Sequence, residues 1–459
     1  MESSLMLGAI LVLIIGLFRP NQYLIKAIFL IVLIVAFAFN QANSITGILM
    51  MESILLSPIS KVFGALFLIA SSLIVLYRRS KEHAPEFYFF IIAMIVGSLF
   101  MIKANNLLVI YLAIELVSFG SYILTNFSFQ KKSFEASLKY LLFGAISSAI
   151  MLFGIGLIYG STGTLYLSEW ATLSFEGLVP QVGFLMLLFG IFFKISIFPS
   201  HVWVPATYES APVDATAFMS VVPKLAGLVL LKHLMEIGFF PKDHIVYELI
   251  LVLGIVTIII GTLGAFMQSN VRRMISFGAI AHSGFLLPFA IMSSETSYEA
   301  FWFYSVIYMI MNFGVFYLLD ECERKDLTLL KDYSNSSISV WIGGAFTLIL
   351  ISLVGLPPLS GFSAKFFLFS TLWEYYQSSN SGYFLSYLIV TLLATVGSLF
   401  FYLKIPKHIF LSSQADSQSI NFSFSTKIIA TLFCIVLLLL FFVPQLVMEA
   451  QHLLNNVHE

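Results

Sequence analysis

Apolar residues follow one another in this chain in long runs, and most polar residues gather in the short stretches between them. A run of about 20 apolar residues can cross a bilayer as a helix, which satisfies its own backbone polar groups there. The runs predict about 14 spans, near residues 4–18, 24–40, 54–77, 86–102, 105–126, 136–159, 180–208, 213–237, 244–266, 273–293, 299–320, 338–376, 384–404 and 426–447. The first, "LMLGAILVLIIGLF", lacks a basic region before it and a small-residue cleavage site after it. It is expected to be a retained span, not a signal peptide.

Two spans are longer than a crossing requires. Residues 180–208 contain "FGIFFKISIFPSHVWVPATY", with expected breaks at Pro199 and Pro205. Residues 338–376 contain "LVGLPPLSGFSAKFFLF", with an expected break at Pro357 and Pro358. Non-helical backbone at membrane depth is tolerated where protein or a water-filled cavity surrounds it. The broken spans lie five apart, and five is odd, so a five-span repeat must place its second copy upside down. The expected fold is an all-α, polytopic membrane protein with two inverted five-helix repeats, each containing a broken helix. Its parts are an N-terminal three-helix segment at 1–80, repeats at 81–238 and 239–408, and a C-terminal helix and tail at 409–459.

Composition agrees with lipid as the main solvent. Of 459 residues, 59% are hydrophobic and 10% are charged, where a soluble domain carries about a quarter charged. The net charge of −1 provides no field to recruit nucleic acid. The two cysteines, Cys322 and Cys434, are too few to ligate an iron–sulfur cluster on this chain alone.

The loop charges alternate. Arg19, Lys26, Arg78, Arg79, Lys81, Lys131, Lys132, Arg272, Arg273, Arg324, Lys325, Lys331, Lys404 and Lys407 follow odd-numbered spans. Glu52, Glu169, Glu176, Glu295 and Glu299 occupy the opposite loops, with Lys103 and Lys242 as exceptions. The positive-inside rule then places both termini on the outer side of the membrane.

Four ionisable residues fall near span centres: Glu115 in "YLAIELVSFGSY", Lys194 in "IFFKISIF", Lys224 in "SVVPKLAG", and Lys365. His282 in "IAHSG" lies nearer a span end. Each buried lysine or glutamate costs roughly 2.5–3.5 kcal/mol on insertion scales, so each needs partners, water or a use. Lys139 and His233 lie near span ends, where snorkelling to the interface is the default. His201 is a candidate to bond carbonyls freed by the first break. Glu115 is a candidate either for interhelical hydrogen bonding or for function. Burial disfavours an ammonium group and a nearby carboxylate favours it, so a buried lysine with a movable acidic partner is a proton switch. In that scheme Glu115 modulates Lys194, Lys224 relays, and Lys365 passes the proton on. Sodium prefers clustered oxygens, so the nitrogen-rich set favours protons.

The stretches "ASLKYLLFGAISSAIMLFGIGLIYGSTGTL", "FKISIFPSHVWVPATYESAPVDATAFMSVVPKLAG", "RRMISFGAIAHSGFLL" and "SLVGLPPLSGFSAKFFLF" resemble the antiporter-like subunits of respiratory complex I over about residues 100 to 405. The N-type subunit of type I NADH:quinone oxidoreductase is the nearest likeness. The resemblance implies functional roles for Glu115, Lys194, Lys224 and Lys365. Lys365 separates the chain from the M type, which carries glutamate there. The end at Glu459, soon after the last span, separates it from the longer L type. The likeness further implies a proton-translocating membrane subunit, in a bacterial inner membrane, without its own redox centre. FMN, iron–sulfur clusters and quinone are expected in other subunits, and neighbouring antiporter-like and small membrane subunits are the expected partners. One departure concerns the segment after "FPSHVWVP": the family's aspartate is Ala206 here, and its glycine is Ser210. Glu209 or Asp214 is then the candidate entry carboxylate. A subunit of a multisubunit cation/proton antiporter is the competing function. A membrane scaffold locked by buried charges is the competing class.

Overall fold

The computed structural model describes residues 1–459 except 19–20, 43–46, 50–51, 78–83, 173–176, 241–243, 412–417 and 456–459. Arg19, Arg78, Arg79, Lys81, Glu176 and Lys242, which entered the charge alternation, lie outside the described residues.

Helices dominate. In chain order they are α1 Glu2–Phe18, α2 Gln22–Ala42, α3 Pro58–Leu73, α4 Ala84–Lys103, α5 Leu107–Thr125, α6 Lys131–Thr162, α7 Leu178–Ile195, α8 Val204–Ser210, α9 Val213–Glu236 and α10 Ile245–Phe266. They continue with α11 Val271–Leu286, α12 Glu295–Glu323, α13 Leu330–Ser334, α14 Val340–Val354, α15 Ser360–Ser379, α16 Gly382–Tyr402, α17 Lys404–Phe410, α18 Phe424–Phe442 and α19 Gln445–Asn455. Among the described residues, short strands occur in the connections: Gly47–Leu49 pairs antiparallel with Ile54–Leu56, and Ser336–Ile338 pairs parallel with Gln418–Ile420. Among the described residues, eleven helices are long and apolar enough to cross a membrane, and α1 and α14 are shorter apolar helices. The chain is therefore a polytopic all-α membrane protein.

The bundle is layered by exposure. The most apolar window of α9 is 100% buried and that of α12 is 94% buried, while the corresponding windows of α2, α6, α16 and α18 are each 33% buried. Thus α9 and α12 form the centre, packed against each other, and the outer helices present Leu, Ile and Phe to lipid. Apolar side chains gain little by leaving lipid for one another, so close packing by small residues matters more than apolar burial. The α6–α7 crossing is an instance: a Cβ on Gly154 would lie 2.5 Å from the Gly183 carbonyl oxygen, and one on Gly183 would lie 2.8 Å from that of Gly154.

Several boundaries differ from the sequence expectation. Helix α6 starts at Lys131, earlier than the expected 136, because Ser133 Oγ caps its first turn by accepting from the Gln130 N–H at 3.1 Å. Its 32 residues extend about 48 Å, so its first turns can leave the hydrocarbon, and Lys139 is exposed there beside Glu135 at 2.5 Å.

The first break opens at Ser196, three residues before Pro199. Ser196 takes a left-handed conformation with φ 60°, and the Ile197 N–H returns to the Phe192 carbonyl at 2.9 Å. Pro205 does not break a helix. It lies in the first turn of α8, where a missing N–H leaves no bond unmade. The second break opens at Gly355, φ 86°, before Pro357 and Pro358. A Cβ on Gly355 would meet Lys365 Cδ at 2.7 Å, and one on Gly361 would meet the Ser352 carbonyl oxygen at 1.8 Å. Both glycines are therefore required by close approach, and Gly355 by its backbone as well.

Candidate functional site

The two breaks bring buried cations onto hydroxyls and freed backbone. Lys194 occupies the last turn of α7 and is 1% exposed. Its Nζ lies 3.3 Å from Ser118 Oγ and 3.4 Å from Ser121 Oγ, both on α5. Glu115 stands one turn before Ser118 on the same helix. It accepts a hydrogen bond from Ser148 of α6. The acid and the amine are thus held by different serines and interact through space.

Lys224, in the buried middle of α9, donates to the Ala279 carbonyl at 3.0 Å and to Ser283 Oγ at 3.1 Å. Ser283 Oγ is 3.4 Å from Ser196 Oγ, at the first break. The Lys194 and Lys224 regions therefore meet through two serines. Next in sequence to Ser283, His282 places Nδ1 3.0 Å from the Tyr304 hydroxyl of α12. Lys365, in the second turn of α15, donates to the Val354 carbonyl at 2.7 Å and lies 4.7 Å from the Phe285 ring centroid. Val354 ends α14, so its carbonyl has no helical partner beyond the break. Here the prolines at 357 and 358 have their use: the interruption they enforce provides the oxygen that holds a buried amine.

Other freed carbonyls are paired by aromatic donors. Trp203 Nε1 donates to the Phe193 carbonyl at 3.1 Å. Pro223, inside α9, lacks the N–H that the Met219 carbonyl would accept. The Tyr208 hydroxyl donates to that carbonyl instead, at 3.3 Å. The Phe193 carbonyl is thus taken by Trp203, while His201 bonds to the backbone of Pro199 at the same break.

One end of the bundle carries a charged clasp. Arg272 donates from Nε and Nη2 to Glu323 at 2.5 Å each, and from Nη1 to the carbonyls of Tyr208, Glu209 and Ala211 at 3.3, 3.1 and 2.6 Å. It fastens α8 to α11 and α12. Glu209 pairs with Lys132 at 2.7 Å and with Arg273 at 3.4 Å, and Asp214 is buried in the first turn of α9. At the other end Lys103 is 6% exposed and pairs with Glu2 at 2.6 Å. That pairing offsets the charge that made Lys103 an exception to the alternation. Among the described residues no three His, Cys, Asp or Glu side chains gather as a metal-ligand set.

The sequence reading passed over Lys232. It is 1% exposed on α9, with Nζ 3.1 Å from Glu236. The signal was present as a Lys–Glu pair at i,i+4 spacing, hidden because it lies at a span end where lysines ordinarily snorkel.

Comparison with known proteins places this architecture. Residues 104–394 match the family described as NADH:quinone oxidoreductase/Mrp antiporter, TM. NADH-quinone oxidoreductase subunit N of Pelagibacter ubique is 33% identical over 403 residues, covering 86% of this chain and 83% of the relative. A chain of respiratory complex I from Thermus thermophilus superposes with TM-score 0.80 at 24% identity, over 98% of this chain and 99% of that one. A chain of the Mrp complex from Dietzia sp. superposes with TM-score 0.81 at 19% identity, over 99% and 97%. At those identities the two superpositions establish a shared fold. The chain belongs to the NADH:quinone oxidoreductase/Mrp antiporter transmembrane family, with relatives named NADH-quinone oxidoreductase subunit N.

Proposed function

We propose that this chain is the N-type membrane subunit of a bacterial NADH:quinone oxidoreductase and carries protons through Lys194, Lys224 and Lys365. Glu115 modulates the first of them. The observation that carries the reading is the row itself: three lysines at 1–2% exposure, each with its amine on a hydroxyl or carbonyl beside a helix break or enclosed helix. An amine at that depth can hold or release a proton where a fixed guanidinium could not. His282 and Tyr304 extend the row between Lys224 and the second break.

Two inverted five-helix repeats at 81–238 and 239–408 account for the two breaks, and 14 spans place both termini on the outer side. FMN, iron–sulfur clusters and quinone belong to other subunits, with adjoining antiporter-like subunits as neighbours. The Mrp-like fold supports a second reading as a cation/proton antiporter subunit; relatives named subunit N favour the first.

The test is Lys194→Met and Lys365→Met in the assembled membrane complex. Each is expected to abolish proton pumping, read as pH-dye quenching in inverted vesicles, while complex content stays at the wild-type level. Pumping at the wild-type rate in both variants overturns the proposal. Loss of assembly in both supports a scaffold instead.

A further inference from the structure

A second polar region lies at the end of the bundle that carries the N-terminus, apart from the central row. The Ser53 carbonyl accepts from Asn105 N–H, and Lys103 pairs with Glu2. The starts of α1 and α3 therefore share this end with the close of α4. Beside the start of α3 is a cavity of about 530 Å³, walled by the last turn of α9, the first turn of α12 and α19. Its polar lining includes Lys232, His233, Glu236, Glu295, Tyr298 and Gln451.

Lys232 is held on every side. Beside the Glu236 carboxylate at 3.1 Å, it donates to the Phe289 carbonyl at 3.1 Å and the Met292 carbonyl at 2.5 Å. Its Nζ also stands 3.9 Å from the Tyr298 ring centroid, and the Tyr298 hydroxyl donates to Glu236. Glu236 itself is exposed, so a buried amine is joined to the surface by one carboxylate. Two further polar atoms, His233 Nε2 from α9 and Gln451 Oε1 from α19, are buried without a protein partner. Buried polar atoms are rarely left unpaired, and a cavity of this size with several donors and acceptors accommodates water.

Toward the interior, one aromatic layer separates this cavity from the central row. The Phe289 ring centroid lies 6.4 Å from that of Tyr304 and 5.7 Å from that of Phe301. Tyr304 is the residue whose hydroxyl meets His282. Phe289 therefore touches the row with its ring and Lys232 with its carbonyl.

We infer that this cavity is a hydrated port through which the row exchanges protons with water at the N-terminal end of the bundle, with Lys232 as the last amine. The inference rests on the proton-transfer reading above. The Lys232 ammonium gives its proton to the Glu236 carboxylate and becomes a neutral amine. The resulting carboxylic acid gives the proton to cavity water as hydronium and regains its charge. The amine is recharged from the Tyr304–His282 side when the Phe289 layer parts.

The experiment uses the assembled complex in membranes with Lys232→Met, Glu236→Gln and, in parallel, Lys194→Met. Pumping relative to electron transfer is expected to fall by about a hundredfold in Lys232→Met, the usual weight of a positioned acid–base group, and to fall in Glu236→Gln also. Glu236→Cys should react with a membrane-impermeant maleimide added from one side only. If Lys232→Met fails to assemble, Glu236→Gln decides, because it is isosteric and its side chain is exposed. Wild-type pumping in Glu236→Gln, with pumping lost in Lys194→Met, overturns the port and leaves the row standing. Wild-type pumping in Lys194→Met as well overturns the proton reading itself.

Discussion

Replacing Arg272 with methionine tests whether the clasp at the end of α8 holds the first broken helix in place. The guanidinium makes two bonds to Glu323 and three to backbone carbonyls. Its removal strands one carboxylate and three acceptors. Removing one member of a fully buried ion pair costs about 3–5 kcal/mol. Here the side chains are 10% and 21% exposed, so water recovers part of that cost, and about 3 kcal/mol is a fair expectation. At about 1.4 kcal/mol per factor of ten, the population in which α8 is undocked should rise about a hundredfold. Hydrogen–deuterium exchange in the intact complex reads this directly. The Ala211 amide, bonded to the Thr207 carbonyl at 2.9 Å, should exchange about a hundredfold faster, since exchange tracks local opening. Arg272→Lys should fall between, because a lysine keeps a charge for Glu323 but cannot span the carboxylate and the carbonyls together. Exchange in 204–211 unchanged by Arg272→Met would refute the reasoning, and would mean that packing alone docks α8.

Two further outcomes are expected. The double substitution Ser118→Ala, Ser121→Ala removes both hydroxyls that Lys194 meets; pumping should fall with assembly intact, and pumping at the wild-type rate would exclude the serines from the path. Gly355→Ala forces a left-handed alanine, at about 1–2 kcal/mol, and drives a methyl group into the Lys365 stem. The thermal midpoint of the complex should fall and pumping should weaken, whereas no change in either would show that Lys365 is not held by this turn.

Much of this architecture was legible in the chain because lipid imposes a plain rule: apolar runs of spanning length form helices. The positions of Lys194, Lys224 and Lys365 were legible because a mid-run lysine is conspicuous. Their partners were not. Ser118, Ser121 and Ser283 are small hydroxyl residues common in any membrane helix, and only the packing of α5 and α11 onto the lysine-bearing helices singles them out. The break at Ser196 was misplaced because proline is a visible breaker, whereas a left-handed serine leaves no mark in the sequence. Arg272 read as a loop charge because neither Glu323 nor the α8 carbonyls are near it in sequence. Lys103 read as an anomaly for the same reason, its partner Glu2 being a hundred residues away.

The serines beside the lysines have a polarity. Ser118 donates to the Ile114 carbonyl, Ser121 to that of Val117, Ser196 to that of Ile195 and Ser283 to that of Ala279. Ser118, Ser121 and Ser283 thereby turn lone pairs toward the lysine amines, while the Ser196 and Ser283 hydroxyls face each other at 3.4 Å with either able to donate. The Lys194 and Lys224 amines thus already aim hydrogens at serine oxygens, and only the contact between Ser196 and Ser283 has a direction to choose. Turning one of these hydroxyls away from its backbone carbonyl gives up a single hydrogen bond, about 1 kcal/mol, so a small motion sets the direction of that contact.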